Sequence, residues 1–178
     1  MTIKASIQKT QITYQGKSVQ ARKLVVTSQI PLLVDTAWAL VKKPALLEFI
    51  TQGKIKFKPV NKHFPKEWQQ GSTVVTHMYL YGVLPFGGAH MLYFEQIDDI
   101  HKCLQTRERD RSAKVWDHLI TMQKTNENTT QYTDEIIIYG GWQTSLIVYW
   151  TKAFYKHRQK RWHLLAQKPE IQAVIINN

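Results

Sequence analysis

The stretch from Trp142 to Gln167, WQTSLIVYWTKAFYKHRQKRWHLLAQ, contains neither proline nor glycine. Gly140 and Gly141 break the chain before it, and Pro169 follows as a stop signal. This punctuation predicts one long helix over 142–167. At 1.5 Å per residue, about 25 residues span roughly 37 Å, enough to cross a small domain. A chain with such a helix near its end must find an apolar surface of matching length to cover it. The apolar run is too short and too interrupted to span a membrane.

Two stripes on this helix compete for the inward position. One comprises Leu146, Trp150, Ala153, Phe154, His157, Arg161 and Leu164. The other comprises Ile147, Thr151, Phe154, Tyr155, Arg158, Trp162 and Leu165. Periodicity alone leaves both open.

The surface it needs is supplied by strands. Residues 2–14 alternate loosely, Gln15-Gly16-Lys17 reads as a turn, and Val19 to Ser28 reads as a second strand, so a hairpin is expected. After Pro31 two short helices follow, one over 32–42 and one beginning at Pro44 and ended by Gly53. Then come strands at 54–59, 73–81, 89–97, 102–109, 114–123 and 129–139, with Gly82 to Gly88 as a turn. The short connections predict antiparallel hairpins. No repeat, linker or low-complexity segment divides 1–178, so a single domain is expected, with 1–21 as an extension or extra strand.

Charge and cysteine content narrow the function classes. The net charge is +11, from 24 Lys and Arg against 13 Asp and Glu, and no acid occurs in 1–34 or in 136–169. Such a balance favours anionic partners or simply a solvated basic surface. Tandem basic runs with interleaved aromatics, of the kind single-strand binders use, are absent, so no nucleic-acid partner is expected. The single cysteine, Cys103, rules out an intramolecular disulfide and a cysteine-based zinc site. Its strand context suggests a buried thiol. The start, MTIKASIQKT, lacks the apolar core of a signal peptide, and a cytoplasmic location is expected.

Strand parity then assigns faces. In the last hairpin one face carries Trp116, His118, Ile120, Met122, Tyr132, Asp134, Ile136 and Ile138. It is the more apolar, so it should lie under the long helix. His118 and Asp134 go inward with it, directly opposite each other or one step diagonal depending on where the turn centres. Parity also groups His90, Leu92 and Phe94.

With VWDHLITMQ, YTDEIIIY and FYKHRQKRW in this order after a strand and two short helices, the chain resembles the SRPBCC superfamily of START, Bet v 1-like and polyketide-cyclase-like domains. The similarity covers about 22–167. It implies an α+β helix-grip fold, a curved antiparallel sheet wrapped around a long C-terminal helix with two short helices closing one end. It also implies a mostly apolar cavity between sheet and helix that takes a small hydrophobic or amphipathic molecule, lipid-like or polyketide-like. An enclosed pocket of several hundred Å³ is the expectation. The paired His and carboxylates that iron-binding members use are absent, so neither a metal nor another cofactor is expected.

The residues expected to line the pocket are His90, Leu92, Phe94, Trp116, His118, Tyr132, Asp134, Trp150 and Phe154. Each also has an ordinary reading as core. His118 and Asp134 are expected within hydrogen-bonding reach; they suit a structural pair, an anchor for a polar ligand end, or an acid–base pair of a cyclase or hydrolase. On the next strand Arg107 and Glu108 point to opposite faces, so at most one enters the pocket; a surface salt bridge is the ordinary reading. Lys156, Arg158 and Lys160 suit contact with an acidic membrane or a protein, and equally complement the helix dipole. No Gly-x-Ser-x-Gly and no P-loop is present.

Overall fold

A computed structural model describes residues 2–177. The chain opens with a long hairpin, β1 (Lys4–Tyr14) and β2 (Lys17–Ile30). Gln15 and Gly16 form its two-residue loop, both at positive φ, 50° and 74°. That geometry matches the twist of the flanking strands. Two short helices follow, α1 (Val34–Val41) and α2 (Pro44–Thr51), the second opening on proline. Six more strands complete the sheet: β3 (Ile55–Pro59), β4 (Thr73–Leu80), β5 (Leu84–Asp98), β6 (Cys103–Arg109), β7 (Val115–Asn126) and β8 (Thr129–Tyr139). The long helix α3 (Thr144–Ala166) and a short α4 (Pro169–Asn177) end the described chain.

All eight strands join one antiparallel sheet in the order β1-β2-β8-β7-β6-β5-β4-β3. The sheet curves around α3, which is the helix-grip arrangement. Residues 4–14 form the edge strand β1 and residues 17–21 begin β2.

Two local expectations need correction. Residues 84–88 belong to β5 rather than to a turn. Leu84 already pairs with Leu80, and Gly87-Gly88, both at positive φ, bulge out between Phe86 and Ala89. Pro85 is tolerated because this part of β5 pairs with β4 alone; β6 joins only from Met91 onward. Pro169 does end α3, but it also opens α4, where its missing N–H has no helical partner to lose.

The face of α3 is settled by packing. Thr144, Val148, Thr151, Phe154, Tyr155, Arg158, Gln159, Trp162 and Leu165 are buried, whereas Leu146 and Leu164 stand in solvent. The inward stripe is therefore the one through Tyr155, Arg158 and Trp162. It mixes four polar side chains with its aromatics, which is why its hydrophobic period is weak.

The core has two parts. Trp162 and Leu165 pack with α1, α2, Ile120, Met122 and Tyr132. Val148, Phe154 and Tyr155 pack with Trp116, Ile136, Ile138 and Met78. Among the described residues no helix is long and apolar enough to cross a membrane.

Candidate functional site

The parity argument for β7 and β8 holds along its length: Trp116, His118, Ile120, Met122, Tyr132, Asp134, Ile136 and Ile138 are all buried. The register pairs Ile120 with Asp134 and His118 with Ile136. His118 and Asp134 are thus diagonal. Their side chains close the gap, His118 Nε2 donating to Asp134 Oδ1 at 2.8 Å.

Asp134 is the hub of a buried network. Its Oδ1 also accepts from the Tyr132 hydroxyl at 2.8 Å, and its Oδ2 accepts from Gln159 Nε2 at 3.0 Å. Gln159, on α3, donates as well to the Val26 carbonyl at 2.8 Å, tying helix to sheet. Burial alone would raise the Asp134 carboxyl. The His118 hydrogen bond, the nearby Arg158 charge and the Gln159 amide outweigh it and hold the group below its ordinary range.

A second buried cluster lies on β5 and β6. His90 places Nε2 2.9 Å from Glu108 Oε2 and Nδ1 3.1 Å from Asp110 Oδ2. Burial would lower this imidazole, but the two carboxylates outweigh it and raise it to about 9. Both ring nitrogens therefore donate. Glu108 Oε1 accepts from the Thr106 hydroxyl at 2.6 Å and stands 3.9 Å from His118 Nδ1. Asp110 Oδ1 accepts the backbone N–H groups of Ser112 and Ala113, which fixes the β6–β7 turn. A side chain at Gly87 would bring its Cβ to 2.8 Å of Asp110 Oδ2, so the bulge needs glycine there on steric as well as conformational grounds.

Through His118, His90, Thr106 and Glu108 these clusters reach a cavity between sheet and α3. Its volume is about 80 Å³. The polar end is lined by His90, Thr106, Glu108, His118 and Arg158, and the walls by apolar side chains such as Leu46, Leu92, Phe94, Leu104 and Ile120. Leu47, Phe86 and Trp150 also line it and keep partial exposure. The expectation of several hundred Å³ is corrected: aromatic side chains fill most of the space. Trp150 stacks on Phe154 at 5.3 Å and meets Phe86 at 5.4 Å.

Of the residues expected at the site, His90, Leu92, Phe94, Trp116, His118, Trp150 and Phe154 line this cavity. Tyr132 and Asp134 do not; both are fully buried behind His118. One basic assignment changes, that of Arg158, while the surface salt bridge expected of Arg107 is present. Arg107 is outside, bridging Glu95 and Asp117 at 2.7 Å each, and Glu108 is the residue that turns inward. Arg158, assigned to a basic surface with Lys156 and Lys160, is 5 % exposed and lines the cavity, so it is removed from any membrane-facing set. Cys103 is only partly buried, and burial pushes its thiol up. The signal that would have found Glu108 is parity: Leu104, Thr106 and Glu108 share one face of β6, opposite Gln105, Arg107 and Arg109.

Arg158 carries an unpaired polar group into the cavity lining. Its guanidinium carbon stands 4.5 Å over the Tyr155 ring and 5.9 Å from that of Phe154. Its Nε is buried without a hydrogen-bond partner. Burial would lower its pKa, but Tyr155, Asp134 and the other facing groups raise it, so the cation persists.

No protein-family model and no curated protein sequence matches the chain. Solved structures do. Norcoclaurine synthase from Thalictrum flavum, in complex with dopamine and hydroxybenzaldehyde, superposes with a TM-score of 0.62 at 11% identity, over 83% of this chain and 87% of that one. A START superfamily protein from Mycobacterium smegmatis superposes with a TM-score of 0.63 at 8% identity, over 82% of this chain and 97% of that one. At such identities the likeness concerns the fold. The chain has the helix-grip fold of the START and Bet v 1-like proteins of the SRPBCC superfamily.

Proposed function

We propose that this protein binds a small hydrophobic or amphipathic molecule between its sheet and α3. The observation that carries the reading is the cavity itself, with apolar walls and hydrogen-bonding side chains gathered at one end. That is the usual make-up of a small-molecule site. Its volume limits what enters without movement of the walls. An apolar cavity of about 150 Å³ holds benzene, and this one is close to half that size. A larger lipid-like or polyketide-like ligand requires displacement of the partly exposed Trp150, Phe86 and Leu47. The reading treats the chain as one binding domain, supported by the single sheet that joins all eight strands. It includes a cytoplasmic setting.

The test has two parts. Native mass spectrometry of freshly purified protein should show an adduct that disappears on denaturation. Methyl NMR shifts of Leu92, Leu104 and Ile120 should move on titration with 1-butanol. Absence of both an adduct and methyl shifts overturns the reading.

A second reading, acid–base work on the bound molecule, is favoured by one geometric fact. Asp134 holds His118 by Nε2 from behind while His118 lines the cavity. A catalyst would need both residues together, whereas a carrier would bind, more weakly, without either one.

A further inference from the structure

The charged groups around the cavity are unequally provided for. Asp134 has three donors on its two oxygens. Glu108 has His90 on one oxygen and Thr106 on the other. His90 has a carboxylate at each nitrogen. Arg158 has only aromatic faces. Among the described residues no carboxylate lies within ion-pair distance of it, and its Nε has no acceptor at all.

A guanidinium taken out of water costs several kcal/mol unless it is paired. Its planar fork of donors is best matched by a carboxylate, which accepts two parallel N–H bonds. The aromatic faces of Tyr155 and Phe154 recover part of the cost and orient the fork. The remaining acids at this end do not repel an incoming anion strongly, because His90 stands between Glu108 and Asp110 as their shared counter-ion.

Resting on the reading of the cavity as a binding site, we propose that its ligand is a short monocarboxylate, with the carboxylate on Arg158 and the hydrocarbon part against Leu92, Phe94 and Ile120. The volume of about 80 Å³ sets the scale of the hydrocarbon part in the closed form, fewer atoms than a benzene ring. Longer homologues enter only as the aromatic side chains at Trp150 and Phe86 give way.

The experiment is an NMR titration of the full-length protein at pH 7 with butanoate and, separately, 1-butanol, which has the same carbon skeleton without the charge. The wild type should bind butanoate roughly tenfold or more tightly than 1-butanol, as expected when a carboxylate meets an unpaired buried guanidinium. Arg158→Met keeps the length and packing of the side chain. It should lose the preference and still bind 1-butanol. Arg158→Lys should retain a reduced preference, and with the wild-type comparison it decides the matter should the methionine variant fail to fold. Equal binding of both probes by the wild type, or a preference that survives Arg158→Met, overturns the carboxylate assignment and leaves the cavity reading intact. Binding of neither probe overturns both.

Discussion

Asp134 takes three hydrogen bonds from three elements, Tyr132 beside it on β8, His118 on β7 and Gln159 on α3. Replacing it with alanine leaves His118 Nε2 and the Tyr132 hydroxyl without their buried acceptor and leaves Gln159 only the Val26 carbonyl. Asp134→Ala is expected to lower the free energy of unfolding by about 3 kcal/mol or more, measured by urea denaturation. His90 provides a pH signature. Its folded value is about 9, above the ordinary 6.5. Its stabilising contribution is therefore complete below pH 6.5 and is lost as pH rises towards 9 and beyond. The loss should be on the order of 3 kcal/mol. Glu108 and Asp110 are held below their ordinary values, so their contribution is present above that range and is lost as pH falls through it into acid. Stability should thus be greatest between roughly pH 5 and 6.5, and the alkaline slope should vanish in His90→Gln. If unfolding curves collected from pH 6 to 9.5 show no slope in the wild type, the doubly bonded imidazolium is wrong. His118 and Asp134 were legible at this scale because parity puts both on the apolar face. The His90 cluster was not, because its partners come from another strand and from the β6–β7 turn.

At the scale of elements the junction between β8 and α3 is the tightest point. A Cβ at Gly140 would sit 2.5 Å from the Ile147 side chain and 2.7 Å from the Ser112 carbonyl oxygen. The backbone oxygen cannot move aside as a side chain does. Gly140 N–H also donates to Thr144 Oγ1, which in turn donates to the Gly141 carbonyl, tying the first turn of the helix to the strand end. Gly140→Ala is expected to cost about 1–3 kcal/mol, read as a lower thermal midpoint, despite the ordinary negative φ of −133° at this position. The sequence marks Gly140-Gly141 as a break, but the crowding comes from Ile147 of α3 and from the β6–β7 turn packed beside it. The same limit explains the two stripes of α3. Gln159 faces inward because Val26 and Asp134 of the sheet accept from it, whereas the Thr151 hydroxyl is satisfied by the Ile147 carbonyl of its own helix. Gln159 lies on neither stripe that periodicity picks out.

For the whole molecule, β1 tests how the sheet is sustained. It pairs only with β2, and none of its residues is fully buried. Its neighbour β2 retains β8 on the other side over Arg22–Ile30. Deletion of residues 2–16 is expected to leave a chain that still unfolds in one cooperative step, with a lower midpoint from the loss of Ile3, Ala5 and Ile7 against the core. Far-UV circular dichroism during thermal unfolding checks this; collapse to an unfolded chain would show that the edge strand is part of the minimal fold.

The sequence by itself determined the order of elements, the antiparallel hairpins, the long helix and the inward face of β7 and β8. Each follows from interactions within a few residues or from the two-residue period of a strand, and both are written locally. Tertiary structure alone decided which stripe of α3 turns inward, that Arg158 is buried with it, and how little space the aromatics leave. Those outcomes depend on which side chains meet from strands distant in the chain. Strand parity places the Asp134 carboxylate inside, but no local pattern names Gln159 on α3 as one of the groups that hold it.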